Sequence, residues 1–151
     1  MQITKTLVTG LAGAAVLTLA HAIARQVDPR AARLDRVGME ALTRGLRAAG
    51  VRPPRGKQLR SAALLADLVT NTLHFASLGS GKPKSLLRGA MRGVTSGLGA
   101  VKATKYLGLS PWGRGARQRS QLVTIGLYAL AGLAAAGIGQ LLHDPAAADA
   151  G

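Results

Sequence analysis

The sequence predicts an all-α membrane protein, a bundle of four transmembrane helices with an additional basic amphipathic helix at the interface. Three observations predict it. No formally charged residue occurs over the 19 positions from Thr6 to Ala24 or the 24 from Ser120 to His143, and each stretch can cross hydrocarbon about 30 Å thick at 1.5 Å per residue. Two further segments, 59–78 and 86–107, are of helical length and contain no proline. The 151 residues include four aromatics, Phe75, Tyr106, Trp112 and Tyr128, too few for the core of a sheet sandwich or for the stacking platforms of most single-strand nucleic-acid binders.

The elements follow in order within a single membrane domain. The first span, about 4–24, also fits a signal peptide, because Lys5 precedes an apolar run that ends in Ala20-His21-Ala22 and Ala22-Ile23-Ala24. Only one basic residue precedes the run, and retention as a span is the expectation. Asp28 before Pro29 suits an N-cap with proline at the first helical position, which predicts a helix over about 29–49 that stops at Gly50. At 100° per residue Leu34, Val37, Ala41, Leu42 and Leu46 share one arc, and Arg33, Arg36, Glu40, Arg44 and Arg47 share the other. Such a helix lies in the headgroup plane, which makes Arg33, Arg36, Arg44 and Arg47 candidates for anionic-lipid contact; a lid packed on the rest of the protein is the competing reading.

The second span, about 59–78, follows Arg52-Pro53-Pro54-Arg55-Gly56, which cannot continue a helix. The third, about 86–107, follows Gly79-Ser80-Gly81-Lys82-Pro83, and the fourth, about 120–142, follows the glycine-rich stretch 108–115. A flexible tail is expected at 144–151.

The net charge is +14, from 20 Lys and Arg against 6 Asp and Glu. Nine basic residues lie between Arg25 and Lys57, and Arg114, Arg117 and Arg119 add three, against Lys5, Lys82, Lys84 and Arg88 on the other side of a four-span protein. Twelve against four puts the first and third connections in the cytoplasm and both termini outside, with Trp112 near the cytoplasmic interface. The basic residues concentrate at the ends of apolar segments, so topology and lipid account for them and no specific nucleic acid is expected as partner.

Asp67, Asn71 and His74 are spaced i, i+4 and i+7 and line one face of the second span. An ionisable group in hydrocarbon costs at least about 2.5 to 3.5 kcal/mol, so Asp67 needs a partner facing the bundle interior. The third span offers Arg92, about 10 Å from the outer end of its helix against about 18 Å for Asp67, and Lys102 about as far on the cytoplasmic side. The expected intramembrane network is therefore Asp67, Asn71, His74, Arg92 and Lys102. It admits two roles: a proton or ion path, or a satisfied interhelical network that fixes packing at roughly 0.6 kcal/mol per hydrogen bond. On the far side of the third span Gly89, Gly93 and Gly97 form a small-residue ladder for close helix contact.

No catalytic residue, metal site or cofactor is expected. The stretch from Ala76 to Pro83 has alanine and proline where a phosphate loop needs glycine and Ser or Thr. No cysteine is present, and His21, His74 and His143 have no Glu or His at ligand spacing. His21 is read as an interfacial side chain and His143 as a helix-end residue.

Gly10-Leu11-Ala12-Gly13 with His21, the arginine-rich helix, Ala66-Asp67-Leu68-Val69-x-Asn71, Arg88-Gly89-Ala90, Leu107-Gly108-Leu109-x-Pro111 and Gly126-Leu127-Tyr128 together resemble a group of small bacterial integral membrane proteins of about four spans with no established activity. The resemblance implies a multi-pass protein of the bacterial cytoplasmic (inner) membrane. The expected role is structural or accessory, with anionic lipids, a second copy or a larger membrane complex as partner; a small ion or proton transporter is the alternative.

Overall fold

The computed structural model describes residues 2–28, 31–79, 86–109 and 117–143. Five helices and no strand form among the described residues: α1 (Gln2–Val27), α2 (Leu34–Ala48), α3 (Gly56–Gly79), α4 (Leu86–Tyr106) and α5 (Arg117–His143). Two of them, α1 and α5, are long and apolar enough to cross a membrane. The other two long helices have 24 and 21 residues, but charges within α3 and α4 lower their hydropathy. The predicted positions of Pro29, Ser80, Trp112 and the tail lie outside the described residues.

Neighbouring long helices run antiparallel. Along α1 and α5, the Lys5 ammonium donates to the Leu142 carbonyl at 2.8 Å, the His21 ring meets Tyr128, and Arg119 lies 3.6 Å from Asp28 at the other end. α1 packs chiefly on α3 and α5, and α4 chiefly on α5, while α3 also touches α5 and reaches α4 through His74 and Ser96. This differs from the expectation of an intimate α3–α4 pair. Both of these helices put their small-residue contacts elsewhere.

The contacts that set this arrangement are between backbones. A Cβ on Gly93 would sit 2.8 Å from the Ala129 Cα and collide with the Tyr128 carbonyl, one on Gly97 would sit 2.8 Å from the Ile125 Cα, and one on Gly89 would strike Ala136 and Gly132. The predicted ladder is thus seated on α5 along its length, where Gly132 answers Gly89 and Gly93. Gly10 makes the equivalent approach to Thr72 and Ala76 of α3, and Gly13 leaves room for Phe75, whose Cγ would lie 2.9 Å from an added Cβ. Without side chains between them, helices approach closely enough for dispersion contacts to act along whole turns.

The interior is accordingly small and the exterior large. Ala14, Ala131, Ala135 and Ala136 are buried with Leu17 and Phe75, and so are Thr9, Thr104, Ser120 and Thr124. The hydroxyls of Thr9 and Thr124 donate to carbonyls one turn back in their own helices, so burial leaves them satisfied. Leu19, Ile23, Leu65, Leu73, Leu87, Met91, Leu122 and Leu141 face outward. In a water-soluble bundle the leucines and isoleucines would form the core.

α2 is shorter than its sequence signals suggest and starts later. Asp28 extends α1, its N–H bonding the Ala24 carbonyl at 2.9 Å, and its carboxylate faces Arg119. The N-cap position falls to Arg33, which makes no side-chain capping bond. Asp28 is therefore the end of one helix and not the cap of the next. The C-terminus follows the sequence: Gly50 adopts φ +73°, its N–H bonds the Arg47 carbonyl at 3.0 Å, and the Val51 N–H reaches Leu46 at 2.8 Å, a complete Schellman motif. Gly108 ends α4 in the same way, with Leu109 buried behind it.

Gly93→Ala is expected to lower stability by about 1–3 kcal/mol through overpacking against the α5 backbone, whereas Gly99→Ala, where an added Cβ meets nothing within 4 Å, should be neutral or slightly stabilising. Unfolding of purified protein in detergent compares them. Equal stability of the two variants would contradict the close α4–α5 contact.

Candidate functional site

The structure encloses a cavity of about 320 Å³ between α1, α2 and α3, closed from the α5 side by Tyr128. Each helix contributes in the register that its small residues impose. α1 presents Leu17, Thr18, His21 and Arg25 on successive turns, and α3 presents Arg60, Ala63, Leu64, Asp67 and Asn71. α2 closes the end with Leu34, Asp35 and Gly38; at Gly38 an added Cβ would make ordinary contact with Ala63 of α3 at 3.8 Å.

The walls are apolar and the polar groups converge at two depths. At the α2 end Arg25 and Asp35 form an ion pair of 2.9 Å; Asp35 also lies in the first turn of α2, where a negative charge complements the helix dipole. Two turns along α3 from Arg60, the Asp67 carboxylate accepts a hydrogen bond of 3.0 Å from the Asn71 amide. Asn71 is buried, whereas Asp67 stays exposed. Between these levels stands His21, whose ring meets Tyr128 edge-on at 6.4 Å and whose Nε2 is buried without a hydrogen-bond partner. An unsatisfied imidazole nitrogen can take up a proton or a hydrogen bond from whatever enters.

The predicted network divides into separate pieces. Asp67 and Asn71 are bonded to each other. His74 turns toward α4, its Nε2 lying 2.7 Å from the Ser96 hydroxyl. That hydroxyl gives its proton to the Arg92 carbonyl at 2.8 Å, so the imidazole is the donor in the His74–Ser96 bond. Arg92 and Lys102 are not among the residues that line the cavity beside Asp67. Of the α2 arginines, Arg33, Arg36, Arg44 and Arg47 are all exposed. Arg44 is engaged with Glu40 and donates to the Leu107 carbonyl at 2.7 Å, which ties α2 to the end of α4. Leu34, Val37, Leu42 and Leu46 are half-buried, so α2 packs on the bundle as a lid while presenting its other arginines outward.

His21, Tyr128, Asp35 and Arg60 are site residues that the linear sequence did not single out together. Their only local signal was polarity inside or beside an apolar run, and the α1–α5 register that joins His21 to Tyr128 exists only in the packed molecule. Among the described residues no group of His, Asp and Glu is arranged to hold a metal ion. No family model matches this chain, and no curated protein or solved structure does so either.

Proposed function

We propose that the chain is a small integral membrane protein of the bacterial cytoplasmic (inner) membrane, with α1, α3, α4 and α5 as four spans, and that it serves as a structural or accessory membrane component. One observation carries this reading: large aliphatic side chains face outward on all four long helices, while alanine, glycine and threonine fill the interior. Water would oppose that arrangement. In lipid, where outward leucines lose nothing, close contact of small residues is what holds helices together. The charges of α3 and α4 fit four spans through position: Lys57 and Arg60 stand at one end of α3, Lys102 and Lys105 at the corresponding end of α4, and long basic side chains reach the interface from there.

With the α2 end in the cytoplasm, Arg33, Arg36 and Arg47 meet the anionic leaflet, each contributing on the order of 1 kcal/mol near the surface. The protein is expected to remain with membranes after an alkaline wash and to be released by detergent. Single cysteines at Ser80, Gly115 and Ala148, probed in intact cells with an impermeant thiol reagent, test the topology. Labelling at 80 and 148 but not at 115 is the expected outcome; labelling of 80 and 115 alike would remove α4 as a span.

The cavity favours a second reading, a small ion or proton transporter, because the Asp67 carboxylate and the unsatisfied His21 imidazole both line it. On the structural reading, proteoliposomes containing the protein conduct protons and cations no faster than empty ones. A flux that Asp67→Asn abolishes without loss of thermal stability would transfer the function to transport.

A further inference from the structure

We propose that the hollow where α2 turns into α3 binds the headgroup of an anionic phospholipid that carries two phosphates. The inference rests on the membrane reading above and names the lipid that its basic face would select. The hollow has a volume of about 590 Å³ and is lined by Arg47 and Thr43 of α2, by Arg52, Pro53, Pro54 and Arg55 of the connection, and by Leu59 of α3.

Charge is the first argument. Three guanidiniums line this space and no acidic residue does; the first turn of α3 carries none either. Of the other arginines at this end of the molecule, Arg25, Arg44 and Arg119 are matched to Asp35, Glu40 and Asp28, while Arg33, Arg36 and Arg60 stand outside the hollow. Arg47, Arg52 and Arg55 have no such partner among the described residues. Three unopposed positive charges around one hollow suit a dianion, and the planar guanidinium fork matches phosphate oxygens bidentately.

Rigidity is the second. The Schellman turn at Gly50 fixes the chain leaving α2, and consecutive prolines hold Pro53 and Pro54 near one φ value. The arginines on either side are thus displayed from a backbone with little freedom to lose on binding. The apolar part of the lining distinguishes a lipid from a free anion. Leu59 and the two prolines offer a wall to the glycerol and first methylenes of a lipid, which a free phosphate would leave unused, and Val51 stands beside them 51% exposed.

The test uses the full chain, purified in a non-ionic detergent and titrated with mixed micelles of cardiolipin or phosphatidylglycerol at equal total phosphate, with inorganic pyrophosphate and a short duplex RNA as competitors. Cardiolipin is expected to bind more tightly than phosphatidylglycerol. R52Q/R55Q should weaken cardiolipin binding about 25-fold, roughly fivefold per arginine, and remove the preference, with its unfolding temperature unchanged because neither side chain has a partner to lose. R33Q/R36Q should weaken binding of both lipids alike and keep their ratio. Equal binding of the two lipids, or a preference that survives R52Q/R55Q, would overturn the proposal. Displacement of cardiolipin by pyrophosphate at equal concentration would assign the hollow to a free diphosphate, and displacement by RNA to nucleic acid; either also overturns it. Release of the protein from membranes by alkaline wash would instead sink the membrane reading, which the micelle titration does not measure.

Discussion

Everything in this molecule depends on how closely its helix backbones can approach. α4 lies on α5 with glycine against glycine, Gly89 and Gly93 against Gly132, and α1 meets α3 through Gly10 in the same manner. Contacts of this kind tolerate no β-carbon, so they determine rotation as well as distance: once Gly89, Gly93 and Gly97 face α5, the remaining faces of α4 have no freedom to point elsewhere. Small residues, and not charges, choose the partner helix of α4, and Arg92 and Lys102 stand outside the cavity that Asp67 lines.

The same constraint shapes the cavity. With α1 flanked by α3 and α5, the side chains of His21, Asp67 and Tyr128 converge where the helices diverge toward the α2 end, and α2 closes the opening through Gly38, the Arg25–Asp35 pair and the Arg44 bond to Leu107. α2 therefore has two unlike surfaces. Its apolar side and Asp35 join the bundle, and its arginines remain outside. Of the competing descriptions of this helix, the packed lid fits its apolar side.

Two spaces of unlike charge balance result, one beside each end of α2. The inner cavity is lined by both carboxylates and guanidiniums, Asp35 and Asp67 with Arg25 and Arg60, beside an amide and an imidazole; the outer hollow is lined by arginines with no acidic residue.

The helical class and the approximate bounds of all five helices were legible in the sequence, because uncharged run length, proline positions and the glycines at 50 and 108 act locally. Gly89, Gly93 and Gly97 were legible as a contact surface for the same reason: spacing of three intervening residues is a property of one helix. Even so, Asp28 was misread as a cap, since its local pattern is equally consistent with the last turn of the preceding helix, and Arg119 from the far end of the chain engages its carboxylate. What only the tertiary structure decided is which helix each surface meets. Periodicity specifies the direction of a side chain about its own axis and carries no information on the neighbour, so the pairing of α1 with α3 and α5 and of α4 with α5, the His21–Tyr128 encounter and the cavity beside Asp67 emerged only when backbones found the contacts that allow them to come closest.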